Sequence, residues 1–133
     1  MASAFIDSNV LVYLLSADSR KADKAEAILQ QPAVISVQVL NELTHVARRK
    51  LDMPWSEIET FLKLIRSLCA VEPLTVESHD LARRLAEQHK INFYDGLIVA
   101  SALLAECDML YSEDLQNGMV FNRQLKVVNP FRR

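Results

Sequence analysis

The chain has 133 residues, half of them hydrophobic, and a formal net charge of −2. That length holds one domain with a sizeable core, and the charge argues against a generally basic nucleic-acid binder without excluding one, since basic groups can hold phosphate beside a locally acidic site. No uncharged apolar run nears the roughly 18 residues that cross a bilayer and no secretory signal is evident, so a single cytoplasmic domain over residues 1–133, away from membranes, is expected.

Ala4–Asp7 reads as a short buried strand that ends on an acid and turns straight into a helix. Arg20–Gln31 is a helix with Ala22, Ala25, Ile28 and Leu29 at helical spacing, stopped by Pro32. A second strand covers Ala33–Ser36, and Ser36 caps a helix whose apolar face is Val37, Leu40, Leu43, Thr44, Ala47 and Leu51. Pro54 opens the next helix, with Trp55, Ile58, Phe61, Leu62, Ile65 and Leu68 along one side. Cys69–Glu72 is the third strand, followed by an amphipathic helix over Thr75–Lys90. Phe93–Cys107 is almost wholly apolar and must be a buried helix, with Gly96 letting it pack close to a strand. Met109–Ser112 and Lys126–Asn129 complete the strands, and Cys69 and Cys107, far from any C-x-x-C spacing, read as reduced buried thiols. Short apolar strands ending on turn or cap residues are covered on both faces. Their alternation with helices predicts an α/β fold: a three-layer α/β/α sandwich around a mostly parallel five-stranded sheet.

Ligands of open α/β sheets sit outside the carboxyl ends of the strands, where Asp7 and, after the fourth strand, Asp114 fall. Each acid also has a plain structural explanation. Asp7 reads as a helix cap, and Asn9 as first-turn polarity. Glu42 lies between Val39 and Val46 at the edge of a buried face, a place on the solvent border or in a cleft. His45 forms a lone E-x-x-H pair with it, a weak ligand signal. Asp95 shares a stripe with Ile98, Val99 and Ala102 in a first turn where the helix dipole favours an acid. Asp114 is also a turn acid, and the adjacent Glu113 points elsewhere.

Magnitude ties these residues together. Carboxylates ~5 Å apart repel by ~3 kcal/mol per pair at an effective dielectric near 20, so a cluster needs protons or cations. Mg²⁺ and Mn²⁺ prefer carboxylate and water oxygens, and one or two such ions suffice for phosphodiester hydrolysis without a nucleophilic Ser or Cys or a catalytic His. The chain has only two glycines, hence no phosphate-cradling loop, and no H-E-x-x-H, zinc cluster or G-x-S-x-G elbow. Arg48-Arg49-Lys50, Arg83-Arg84 and Arg132-Arg133 are small basic groups, each readable as solvated surface or as a hold on phosphate.

Ile6-Asp7-Ser8-Asn9-Val10-Leu11, Asn41-Glu42-Leu43, Tyr94-Asp95-Gly96-Leu97-Ile98-Val99-Ala100-Ser101-Ala102 and Ser112-Glu113-Asp114-Leu115 resemble, in that order, the motifs of PIN-domain nucleases. The resemblance spans essentially the whole chain and is closest to the VapC-type toxins of type II toxin–antitoxin pairs. It implies a Mg²⁺- or Mn²⁺-dependent endoribonuclease acting on structured RNA, with Asp7, Glu42, Asp95 and Asp114 as catalytic, metal-holding acids. Asn9 and Ser112 match supporting positions. A homodimer and a cognate antitoxin partner are likewise implied. Gln116 and Asn117 stand where many relatives carry a further acid, which leaves one ion or two open.

The same residues fit two other readings. An aspartyl-phosphate hydrolase would use Asp7 as nucleophile, although its D-x-D-x-[TV] pattern has Asn9 in place of the second acid and no suitable lysine motif follows. A non-catalytic binding or structural domain would keep the acids for stability alone.

Overall fold

Strand β1 (Ala4–Ile6) runs through the middle of the molecule, with Phe5 and Ile6 fully buried. The computed structural model describes residues 3–132, so Met1, Ala2 and Arg133 of the Arg132-Arg133 pair lie outside the described residues. On one side β1 pairs in parallel with β2 (Ala33–Ser36), Phe5 opposite Val34, and β2 pairs with β3 (Cys69–Glu72). On the other side β1 pairs in parallel with β4 (Met109–Tyr111), Phe5 opposite Leu110, and β4 pairs with β6 (Leu125–Val128). A two-residue strand β5 (Val120–Phe121) closes the edge antiparallel to β6, giving the order β3-β2-β1-β4-β6-β5.

The sheet is therefore mostly parallel, flanked by helices in an α/β sandwich as expected, but among the described residues it has six strands rather than five. The extra strand escaped the sequence reading because two residues carry no period-two signal. Its turn places Asn122 and Arg123 at φ 52° and 56°, the geometry a tight hairpin demands, without the glycine that would advertise it.

Helix α1 (Ser8–Leu11) and a 3-10 turn (Val12–Leu15) follow β1 directly, and α2 (Ser19–Ile28) then leads to β2. Helix α3 (Val37–Arg49) starts from Ser36, whose hydroxyl accepts the Val39 N–H at 3.4 Å. Helix α4 (Trp55–Leu68) opens after Pro54. The Thr75 and Ser78 side chains form a reciprocal capping box at the start of α5 (Val76–His89).

Helix α6 (Phe93–Leu104) is buried from Gly96 to Leu103. Gly96 does permit a close approach, but to a helix rather than a strand: a Cβ there would meet the Ala82 carbonyl of α5 at 2.6 Å. Phe5, Ile6, Leu11, Ile35, Leu43, Ile98, Leu110 and Phe121 centre the core. Cys69 and Cys107 are buried free thiols, and burial pushes Cys69 up to about 11. Among the described residues, no helix is long and apolar enough to cross a membrane.

The strand order places the site. From β1 the chain builds outward through β2 and β3, then returns to the other side of β1 for β4. The carboxyl ends of β1 and β4 thus flank a topological switch point, where such sheets form their ligand crevice.

Candidate active site

Asp7 is the first residue beyond β1. Its N–H still pairs with the Tyr111 carbonyl at 2.9 Å, but its own carbonyl accepts from Val10 and begins α1 at 3.1 Å. The side chain is only 3% exposed, so its lone pairs need partners. Oδ1 accepts the Ser8 N–H at 2.7 Å, and Oδ2 accepts Ser112 Oγ at 2.9 Å and Asn9 Nδ2 at 3.2 Å.

Ser112, the residue after β4, is fully buried, and Asn9 Oδ1 accepts the Glu113 N–H at 3.0 Å. Asn9 and Ser112 thus tie the two strand ends together around one carboxylate. Glu113 turns away, as expected. Its carboxylate accepts from Tyr13 Oη at 2.6 Å and pairs with Lys21 Nζ at 3.1 Å.

Glu42, Asp95 and Asp114 line one open cleft of about 1100 Å³ together with Ser8 and Asn9, whereas Asp7, bonded to those two residues, is not among its lining residues. Glu42 is half-buried on α3, and its buried Oε1 has no hydrogen-bond partner among the described residues. Asp95, in the first turn of α6, is held by the capping residue Asn92. The Asn92 amide donates to Asp95 Oδ2 at 2.8 Å while its oxygen accepts the Asp95 N–H at 2.9 Å. Asp114 is exposed, on the loop after β4. His45 is also exposed at the cleft wall, and Lys50 is the lysine of the 48–50 group that reaches it. Arg83 and Arg84 lie on the exposed side of α5.

Burial pushes Asp7 from 3.8 to about 6, against the pull of its Ser112 and Ser8 bonds, and the charges of Asp95 and Asp114 add to the rise. Burial and then the Asp7 charge lift Glu42 from 4.5 to about 7, with the Ser8 side chain offsetting part. Burial and then Asp114 raise Asp95, which Asn92 partly counters. The acids feel one another, yet no three Asp, Glu, His or Cys side chains among the described residues converge tightly enough to cage an ion unaided.

What they form is an open set of carboxylate oxygens that repel one another, with one buried oxygen on Glu42. That chemistry fits a hard divalent cation which keeps several of its waters. Asn92 escaped the sequence reading, although Asn-x-x-Asp ahead of an apolar helix is a recognisable capping pattern.

A sequence-family match to the PIN domain spans residues 4–117. Compared by sequence with curated proteins, the chain matches none. Among solved structures it resembles a toxin–antitoxin complex from Klebsiella pneumoniae, with TM-score 0.72 at 19% identity, covering 98% of this chain and 99% of that one. It resembles the Mycobacterium tuberculosis toxin VapC20, a sarcin–ricin loop cleaving toxin, with TM-score 0.69 at 17% identity over 84% of this chain and 89% of that one. FitAcB from Neisseria gonorrhoeae aligns with TM-score 0.68 at 19% identity, over 98% of this chain and 99% of that one. At such identities the structures speak to fold, and the family match speaks to descent. The chain belongs to the PIN domain family.

Proposed function

We propose that this protein is a Mg²⁺- or Mn²⁺-dependent endoribonuclease that cuts structured RNA as the toxin of a toxin–antitoxin pair. The observation that carries the reading is one cleft lined by Glu42, Asp95 and Asp114 beside Asp7, which lies within reach of their charges and is clamped by Ser112 and Asn9. Toxin–antitoxin complexes among the structural relatives support a protein antitoxin as partner. We extend the reading to a homodimer, for which exposed Leu64 and Leu68 on α4 offer apolar surface.

Asp7, Glu42, Asp95 and Asp114 would hold one or two ions. A bound cation supplies Lewis acidity that activates water and stabilises the leaving oxygen. Asn9 and Ser112 fix the direction of the Asp7 lone pairs, and Asn92 fixes those of Asp95. Burial and mutual repulsion raise the proton affinity of Asp7, Glu42 and Asp95, so a cation would compete with protons for the same oxygens.

The test incubates the purified full-length chain with total RNA in Mn²⁺ or Mg²⁺, with EDTA and Asp95→Asn as parallel arms and 5′ ends mapped. Discrete cuts should vanish in EDTA. Asp95→Asn, folded by circular dichroism, should lose several kcal/mol of charge stabilisation, at least about 100-fold in rate. Full cleavage by that variant would sink the assignment of the site.

A further inference from the structure

Beside the acid cleft lies a second hollow, about 600 Å³, lined by Asn41, Thr44, His45, Arg48, Arg49 and Trp55. Asn41 and His45 also line the acid cleft, so the two are continuous along α3. Their charges differ in sign. The cleft carries three carboxylates, whereas the hollow carries two arginines and no acid.

The hollow also has a platform. Trp55, the chain's only tryptophan, is 59% exposed although it begins a helix that buries Ile58, Phe61 and Ile65. The Arg48 guanidinium sits 5.2 Å from the centre of its ring and donates to the Met53 carbonyl at 3.1 Å, which pins the arginine against the indole. One cation and an indole left open to solvent form a surface onto which another flat group can stack.

We propose that this hollow is an RNA-binding subsite that stacks one unpaired base on Trp55 and holds the adjoining phosphate through Arg49, with Arg48 supporting the indole. The proposal rests on the nuclease reading and deepens it. An RNA strand entering a cleft of carboxylates needs its phosphates held nearby by positive charge, and the hollow is the adjoining basic surface. At a rise of ~1.5 Å per residue, Arg49 lies ~10 Å along α3 from Glu42, a short reach along a strand from the site of cleavage. A single-stranded segment fits this description, because base–aromatic stacking requires bases that are not already stacked inside a duplex.

Trp55 reports its own occupancy. The experiment adds a short oligouridine to the full-length chain in EDTA, where metal-dependent cutting is off, and follows tryptophan emission. A duplex of equal length serves as comparison. Emission should be quenched saturably by the single strand and far less by the duplex.

By anisotropy of a labelled oligouridine, Trp55→Ala should weaken binding about ten- to a hundred-fold, and Trp55→Phe should recover most of it. Arg49→Ala should flatten the plot of log affinity against log salt by about 0.7. Unchanged affinity in Trp55→Ala, or equal quenching by duplex, overturns the proposal. So does an emission shift that follows protein concentration without RNA, which would assign the hollow to a contact between copies of the chain. The two readings fail separately. Cleavage that survives Asp95→Asn with quenching intact retires the nuclease site and leaves the subsite, whereas Asp95-dependent cleavage without quenching removes the subsite alone.

Discussion

Ser112 Oγ and Asn9 Nδ2 both donate to the same oxygen of Asp7, and Asn9 in turn is fixed by the Glu113 backbone. A ligand carboxylate pinned in this way loses little freedom when it takes up a cation, and partners of this kind are commonly worth 10- to 100-fold in metal affinity. Ser112→Ala is expected to weaken Mn²⁺ binding by about that factor, measured by titration calorimetry, while the circular dichroism of the folded chain is unchanged. Unaltered Mn²⁺ affinity would mean that Asp7 is not a ligand or that Asn9 alone suffices. Much of this constellation was legible residue by residue. Asp7 and Asp114 fell at strand ends, and the stripe of Val39, Glu42 and Val46 placed Glu42 at a buried edge. Asn92 carried a legible capping pattern, but that its amide also holds the Asp95 carboxylate shows only in the reciprocal bonds between them. The state of Glu42 Oε1, buried without a partner, depends on packing from several elements and leaves no mark in the chain.

Among the elements, α5 and α6 approach closely, since a Cβ on Gly96 would lie 2.6 Å from the Ala82 carbonyl. Backbone cannot give way as a flexible side chain does, so Gly96→Ala must push the two helices apart. Overpacking of this kind costs about 1–3 kcal/mol. The cost should appear as a lower urea midpoint at unchanged slope, and because Asp95 precedes Gly96 the variant should also bind Mn²⁺ more weakly. A variant as stable as the parent would show that α5 relaxes freely. The sequence pointed to a close approach at Gly96 but named the wrong partner, because one glycine records how near a neighbour comes and not which neighbour it is. Strands β2 and β3 were readable to the residue, since caps or turns delimit them. Strands β1 and β4 each end one residue earlier than expected. At Asp7 the carbonyl has already turned into α1, a switch that apolar content cannot signal.

The whole molecule carries its site at a cost in stability. Asp7, Glu42 and Asp95 all bind protons more tightly in the folded chain than in the unfolded one. A raised carboxyl pKa contributes stability that is fully present below the unfolded value and is lost as pH rises through the folded value. For these acids that window runs from about 4 to about 7. Asp7 alone, moved from 3.8 to about 6, represents ~3 kcal/mol at 1.36 kcal/mol per pH unit. In EDTA the protein should therefore resist urea better near pH ~5 than near pH ~7.5, and Asp7→Asn should flatten that dependence. Mg²⁺ at ~100 times its dissociation constant should return ~2.7 kcal/mol near neutrality. Little should return near pH ~5, where protons occupy the same oxygens. If stability in EDTA were flat across the window and Mg²⁺ left it unmoved, the carboxylates would be neither repelling one another nor awaiting a cation. If both effects appear and Asp7→Asn abolishes them together, the acids compete for protons and metal as one unit.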